Sequence, residues 1–306
     1  MKRILNCLAS DFTKMNGKDL KASIEAAEGR TMIAEIVCTA TPLYPGLTNA
    51  EYAAAFGADM ILLNMFDVNA PRIMGIENVP AENLIRKLKE LLGRPVGINL
   101  EPVDVHALPA ETLQKLLPTG RISTADSLKR AKELGVDFIC LTGNPQTGVT
   151  NNEIMQAITT AKTICDDDCM IIAGKMHGAG VKGEAGGTII SEEVVRSFVE
   201  TGADVILLPG VGTVPGTTLE KTARLVEAAH QAGALVMTTI GTSQEGADEQ
   251  TIKQMALYNK MAGADIHHIG DAGYNGIAVP ENIMNYSIAI RGRRHTYTRM
   301  AASIRR

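Results

Sequence analysis

No run of apolar residues in this chain approaches the roughly 18 that a membrane-crossing helix needs. The N-terminal stretch MKRILNCLASDF opens on basic residues, but its apolar part is too short and too soon interrupted for a signal peptide. A cytoplasmic protein is therefore expected. Nor is there an excess of positive charge: the net charge of −4 gives no general attraction to nucleic acid or to an anionic membrane, and neither is expected as a partner. Charged residues are also too few for a disordered chain, at 21% against 45% hydrophobic. Paired cysteines are lacking too. The five present (Cys7, Cys38, Cys140, Cys165, Cys169) are an odd number in a large chain, which argues for reduced thiols. Cys165 and Cys169 bracket three aspartates, but no second Cys or His pair stands at zinc-site spacing. A helix end and a turn are expected there instead.

What the chain does have is a repeat. GADMILLNMF begins at Gly57, GVDFICLTG at Gly135, GADVILLPG at Gly202, GALVMTTIGT at Gly233 and GADIHHIG at Gly263. In each, a glycine closes a helix, a small residue and usually an aspartate turn the chain, and a short apolar run follows. Buried parallel strands read as such continuous runs. Helical patterns lie between them, as in ADSLKRAKELG and LEKTARLVEAAHQAG. Three further strands fill the double-length intervals: RTMIAEIVCTA from Arg30, GRPVGINLEP from Gly93 and CMIIAGKMHG from Cys169. Strand five is expected at about Met170 to Lys175 and strand eight at about Asp265 to Ile269. The last helix is expected near PENIMNYSIAI.

Eight successive βα units point to a single (β/α)8 TIM barrel spanning 1–306. A doubly wound open sheet would carry GxGxxG in its first βα turn, where this chain has CTATPLYPG. Residues 1–29 read as an N-terminal extension whose helix, around GKDLKASIEAAEG, covers the lower mouth. Residues 291–306, with six arginines, read as a basic C-terminal tail, solvated or in a subunit contact, with a phosphate or nucleic-acid contact as the less favoured alternative. A homo-oligomer stays open on that ground.

In such barrels the catalytic groups stand at the C-terminal ends of the strands. Strand one presents Glu35, an acid inside an apolar run. Strand two presents Asn64 and Asp67, strand three Asn99 and Glu101, strand four Thr142 and Asn144, strand five Lys175 and His177. The ends of strands six to eight are rich in glycine and hydroxyl residues: Gly210, Gly212 and Thr213; Gly241, Thr242 and Ser243; Gly270 and Gly273. Converging backbone amides there would bind a phosphate, and a small phosphorylated metabolite is the expected partner. Lys175 is expected to form an imine or to stabilise an enolate. Glu101 or Asp67 is expected to move a proton beside a carbonyl, or to hold a divalent metal such as magnesium, with His177 as a proton shuttle. Lys175 and Glu101 are expected to share one pocket. The segment after strand five, with Gly174, Gly178, Gly180, Gly183, Gly186 and Gly187, is expected to serve as a lid. His267 and His268 are adjacent in one strand and must point to opposite faces.

This arrangement resembles the phosphate-binding (β/α)8 superfamily of sugar-phosphate lyases, epimerases and isomerases. IISEEVVRSFVETGADVILLPGVGTVPGTT is similar to part of the deoxyribose-phosphate aldolases, which carry a Schiff-base lysine on strand six. Here Leu207, Leu208 and Pro209 occupy that strand end. The whole chain looks like a bacterial barrel family carrying labels such as phosphoenolpyruvate phosphonomutase-like or haloacid-dehalogenase-like. The DxDx[TV] motif of dehalogenase-type phosphatases is absent, since SDFTK at Asp11 lacks the second aspartate. Phosphonomutases and isocitrate lyases use a magnesium-binding acidic cluster, which Asp67 and Glu101 would imitate. The resemblance implies lyase or isomerase chemistry on a carbonyl-bearing phosphorylated metabolite. A metal-using phosphonomutase-like enzyme and a non-catalytic barrel that binds a phosphometabolite are the alternatives.

Overall fold

The computed structural model describes residues 1–105, 110–143, 147–178 and 189–306. Near the N-terminus lie the short helices α1 (Ala9–Phe12) and α2 (Gly17–Glu25). Eight strands follow: β1 (Thr31–Val37), β2 (Met60–Asn64), β3 (Val96–Leu100), β4 (Phe138–Leu141), β5 (Met170–Gly174), β6 (Val205–Pro209), β7 (Leu235–Ile240) and β8 (Ile266–Ile269). Each pairs in parallel with the next, and β8 pairs with β1 to close the barrel. This is the expected (β/α)8 fold. The surrounding helices are α3 (Asn49–Ala55), α4 (Leu84–Leu92), α5 (Ala110–Leu116), α6 (Ala125–Leu134), α7 (Asn151–Cys165), α8 (Glu192–Thr201), α9 (Leu219–Ala232), α10 (Glu249–Met261) and α11 (Pro280–Ala301).

The strands are apolar on both faces because both faces are covered. Ala34, Ile36, Ile61, Leu63, Ile171 and Ala173 belong to the layer under the helices. Ile33, Met60, Leu62, Phe138, Ile172 and Leu207 fill the lumen, joined from below by Ile4, Phe12, Leu20 and Ile24. The N-terminal helices thus plug the lower mouth. Helix boundaries follow ordinary capping chemistry. Thr124 and Ser191 accept a hydrogen bond from the third residue of α6 and α8. Gly135 and Gly202, both left-handed, end those helices.

The aspartate of the repeat has a definite task. Asp59, Asp137, Asp204 and Asp265 each stand just before an even-numbered strand. Each accepts through its carboxylate from a backbone N–H at the start of the preceding strand: Met32, Val96, Ile171 and Val236, at 2.8–2.9 Å. Its own amide returns a bond to the carbonyl of that same residue. These four reciprocal staples tie the strand N-termini in pairs at the lower end, where the chain otherwise leaves donors unpaired. Each aspartate also has a basic neighbour: Arg291 and Arg299, Lys89, Lys21 and His230 respectively.

Residues 291–306 do not all form a tail. Helix α11 runs on to Ala301 across a break at Gly292, whose φ is 76°. Arg291 and Arg299 are buried and grip Asp59 from both sides of that break. Arg299 also donates to the carbonyls of Ile4 and Cys7. Among the described residues no helix is long and apolar enough to cross a membrane.

Candidate active site

At the C-terminal end of the barrel a cavity of about 250 Å³ opens between the strand ends. Four carboxylates border it: Glu35, Glu101, Glu245 and Asp271. Asn64, Asn99, Arg121, Thr142, Met176, His177 and Gly241 complete most of the wall. A larger hollow of about 620 Å³ lies elsewhere, lined by ion-paired residues such as Arg86, Lys89 and Glu90. It brings no comparable set of buried titratable groups together.

Glu35 is the centre of the mouth. The pleat of β1 puts Ile33 in the lumen and therefore Glu35, two residues on, above it. Its Oε1 accepts from Nδ2 of Asn99 on β3 at 2.5 Å, and Oε2 lies 3.1 Å from Nε2 of His268 on β8. The acid thus reaches across the barrel and ties three strands together. His268 is fully buried, and with Nε2 facing Glu35 its Nδ1 has no partner among the described residues. Asn99 likewise spends its amide on Glu35 and leaves a buried Oδ1 that no described residue bonds.

The second carboxylate pair stands beside this axis. Nδ2 of Asn64 donates to Oδ2 of Asp271 at 2.8 Å. Burial, and next the charge of Glu35, push the Asp271 carboxyl up to about 6. Burial also raises Glu245, whose Oε2 is enclosed without a partner among the described residues. On the other side Arg121 donates to Oε1 of Glu101 at 2.7 Å. His177 is held below its usual range by burial, with Glu35 opposing. The mouth therefore holds one carboxyl that exchanges its proton at about 6, a second that burial raises, and buried acceptors without donors among the described residues.

Several expected residues are elsewhere. Of the expected pair Lys175 and Glu101, only Glu101 is among the described residues that border this cavity. Inside the barrel β5 presents Ile172, and the outward set is Ile171 and Ala173. Lys175 follows the last residue of β5, is 1% exposed, and is not among the cavity-lining residues, which include Met176 and His177. Asp67 serves its own turn, with Oδ1 accepting from the amides of Asn69 and Ala70. It does not meet Glu101 in a shared acidic cluster. Among the described residues no three His, Cys, Asp or Glu side chains gather as a metal-holding group. Asn144 and most of the expected lid, including Gly180, Gly183, Gly186 and Gly187, lie outside the described residues.

The expected phosphate cradle is not assembled by the residues proposed for it. The amides of Gly210 and Gly270 donate to the carbonyls of Thr239 and Ile240, completing backbone pairs. Thr242 bonds to Gln244 and to the carbonyl of Thr213. Ser243 is a left-handed residue ahead of a 3-10 turn. Gly273 packs against the backbone of Ala278 and Val279. Gly270 makes room for the carboxyl group of Glu245, which occupies space where a phosphate is expected from the sequence. Of the six, Gly241 alone borders the cavity, and Met176 lies against it.

Sequence reasoning found Glu35, Asn64, Asn99, Glu101 and His177 but missed Glu245, Asp271 and Arg121. Two of those acids lie inside TTIGTSQEG and HHIGDAGYNG, stretches whose glycines drew attention away from their carboxylates. Of the adjacent histidines, His268 faces in and His267 faces out. His267 meets the carbonyl of Gly29 at 3.0 Å and the hydroxyl of Tyr286 at 3.4 Å. Burial pushes it down to about 4, so it is a neutral structural histidine.

Comparison with solved structures returns 1015 chains, a number that fits the generality of the barrel. An archaeal fructose 1,6-bisphosphate aldolase aligns over 93% of this chain and 99% of its own, with TM-score 0.53 and 14% identity. A candidate lyase/mutase from Burkholderia cenocepacia J2315 aligns over 91% of this chain and 84% of its own, with TM-score 0.50 and 15% identity. Likeness at that identity concerns the fold alone. No curated protein matches in sequence. A family model described as a domain of unknown function, DUF7916, matches residues 5–306, and the chain belongs to that family.

Proposed function

We propose that the barrel mouth is the active site of a lyase-type enzyme that moves a proton next to a carbonyl in a small polar metabolite. The observation that carries this reading is the coupled set of Glu35, Asp271, His268 and Asn99 at the strand ends. A carboxyl poised at about 6 is ionised at neutral pH yet basic enough to accept a proton from carbon. Asp271 is the base. Glu35 raises its proton affinity and is itself fixed by Asn99 and His268. As the proton passes to Asp271, the electron pair moves onto the carbonyl oxygen. Arg121 and Thr142 line the same cavity and bring donors for that developing charge. His177, neutral because it is buried, is available to return a proton.

The unbonded acceptors Asn99 Oδ1 and Glu245 Oε2 favour a substrate with hydroxyl groups. A phosphate on that substrate would draw on Arg121 rather than on the glycine-rich ends. A divalent metal as expected on Asp67 and Glu101 does not fit these residues, since Asp67 caps its own turn and Glu101 pairs with Arg121.

Solvent deuterium uptake into a panel of 2-oxo acids and ketoses, followed by NMR, tests the proposal. Wild-type protein should label one class, with a rate that rises with pH through about 6. D271N should lower that rate by about 100-fold or more, and E35Q should shift the limb as well as weaken it. Labelling at an unchanged rate in D271N, or a borohydride-trapped adduct on Lys175, would overturn the assignment.

A further inference from the structure

At the lower end of the barrel, the first residues and the last turns of α11 enclose another hollow, of about 450 Å³. Arg3, Asn6, Cys7, Arg294, His295 and Thr298 are among its lining residues, and no Asp or Glu contributes to the wall. Nearby basic side chains do have partners: Lys2 pairs with Asp11 and Arg30 with Glu28. Arg299 also borders the hollow, but Asp59 and two carbonyls occupy its guanidinium. Arg3 and Arg294 have no acid among the described residues. Nη2 of Arg294 instead donates to Nε2 of His295 at 3.2 Å. That bond requires a lone pair on the imidazole, and so a neutral ring facing a cation. Burial, and then the charges of Arg294, Arg30, Arg291 and Arg3, hold His295 below its usual range. The arrangement is that of a hollow whose charged lining side chains are all basic among the described residues.

We propose that this hollow binds a small multivalent oxyanion, a phosphate or pyrophosphate group, between Arg3 and Arg294, with His295 completing the site. Guanidinium groups match such oxygens in geometry as well as charge, and Asn6 and Thr298 add neutral donors. A long polyanion such as nucleic acid is disfavoured, because the molecule as a whole carries −4. The site is independent of the mouth chemistry, since Arg299 anchors it to Asp59 and the N-terminal carbonyls at the opposite end. Proton linkage gives it a signature. The groups facing His295 are Arg294 and Arg291 of α11, Arg30 ahead of β1, and Arg3, all of them guanidinium groups. Cys7 in the wall is kept as the thiol by burial. An anion placed there favours the imidazolium, so binding takes up a proton and tightens as pH falls.

Calorimetric titration of the full chain with inorganic pyrophosphate at low salt provides the test. One saturable site is expected, weakening with added salt and tightening by several-fold between pH 8 and pH 6. The double variant R3A/R294A should bind at least about tenfold more weakly with an unchanged melting temperature. H295Q should keep most of the affinity and lose the tightening toward pH 6 that His295 supplies, leaving only the effect of pyrophosphate's own protonation. If the double variant is unstable, the single change R294Q, at an exposed residue, carries the same expectation. Glucose 6-phosphate binding more tightly than pyrophosphate would place the anion on a carbon skeleton, and the reverse order would mark a free ion. Absence of saturable heat, equal affinity in the variants, or tighter binding of an oligonucleotide would each overturn the proposal.

Discussion

A single methyl group separates two glycines at the barrel axis by what it would strike. A Cβ on Gly97 would overlap the ring of Phe138, which fills the lumen opposite and has no room to retreat. A Cβ on Gly241 would meet the sulfur of Met176, the far part of a flexible side chain at the cavity edge. G97A should therefore destabilise by about 1–3 kcal/mol, while G241A should cost under about 1 kcal/mol. Urea denaturation of both variants checks the order, and equal losses would show that Phe138 has freedom the packing denies it. The same scale shows what one chain reveals about a site. Glu35 stood out because an acid inside a strand is expensive unless used. Asp271 and Glu245 did not, because nothing local marks a loop carboxylate as buried; their neighbours are brought by other strands. The sequence leaves the direction of Lys175 open for a related reason. One residue of pleat separates the lumen from the helix layer, and composition cannot decide which side a strand end presents.

At the scale of elements, the repeat was legible as an array of βα units, yet the purpose of its aspartate was not. The Gly-Ala-Asp phrase appears to the reader of a sequence as a turn. In the fold its carboxylate caps the start of the strand before it, a partner that lies a whole βα unit back in the chain. These staples differ in environment, which grades their worth. Asp59 is completely buried between Arg291 and Arg299; burial opposes its charge, but the two guanidiniums prevail and hold its carboxyl below the usual range. Asp204 faces Lys21 at 3.6 Å on a partly exposed surface. Removing Asp59 leaves two buried cations without a counter-charge, so D59N should cost about 3–5 kcal/mol. D204N should cost about 1 kcal/mol, the scale of one hydrogen bond to a charged group combined with a weak surface pair. A smaller loss for D59N than for D204N would show that α11 is not pinned through its arginines. The basic run at the C-terminus was read as a tail because arginines are seldom buried. Only a carboxylate supplied from β2 makes burial of Arg291 and Arg299 tolerable.

For the whole molecule, eight strands could be counted because both faces of a closed barrel are apolar and its helices end on glycine. What the count did not supply is the charge balance of the folded state against pH, to which two buried groups contribute with opposite sign. His267 titrates at about 4 in the fold against 6.5 when exposed. Below about 6.5 the unfolded chain binds a proton that the folded one refuses, so this stability is complete at pH 8 and falls on acidification. The loss by pH 5 is about 2 kcal/mol. Asp271 does the reverse. Its folded carboxyl takes a proton near 6, the unfolded one only near 3.8, so the fold is penalised at pH 8 and relieved by about 1 kcal/mol at pH 5. Wild-type stability should thus change little over this interval from these two groups. Their separate contributions appear in variants. H267Q removes the acid-sensitive term, so its stability relative to wild type should improve by about 2 kcal/mol between pH 8 and pH 5. D271N removes the compensating term and should lose about 1 kcal/mol relative to wild type over the same range. Urea unfolding of all three proteins at the two pH values measures both differences. Parallel curves for wild type and H267Q would mean that His267 takes a proton in the folded barrel, and that its bond to the Gly29 carbonyl outweighs burial.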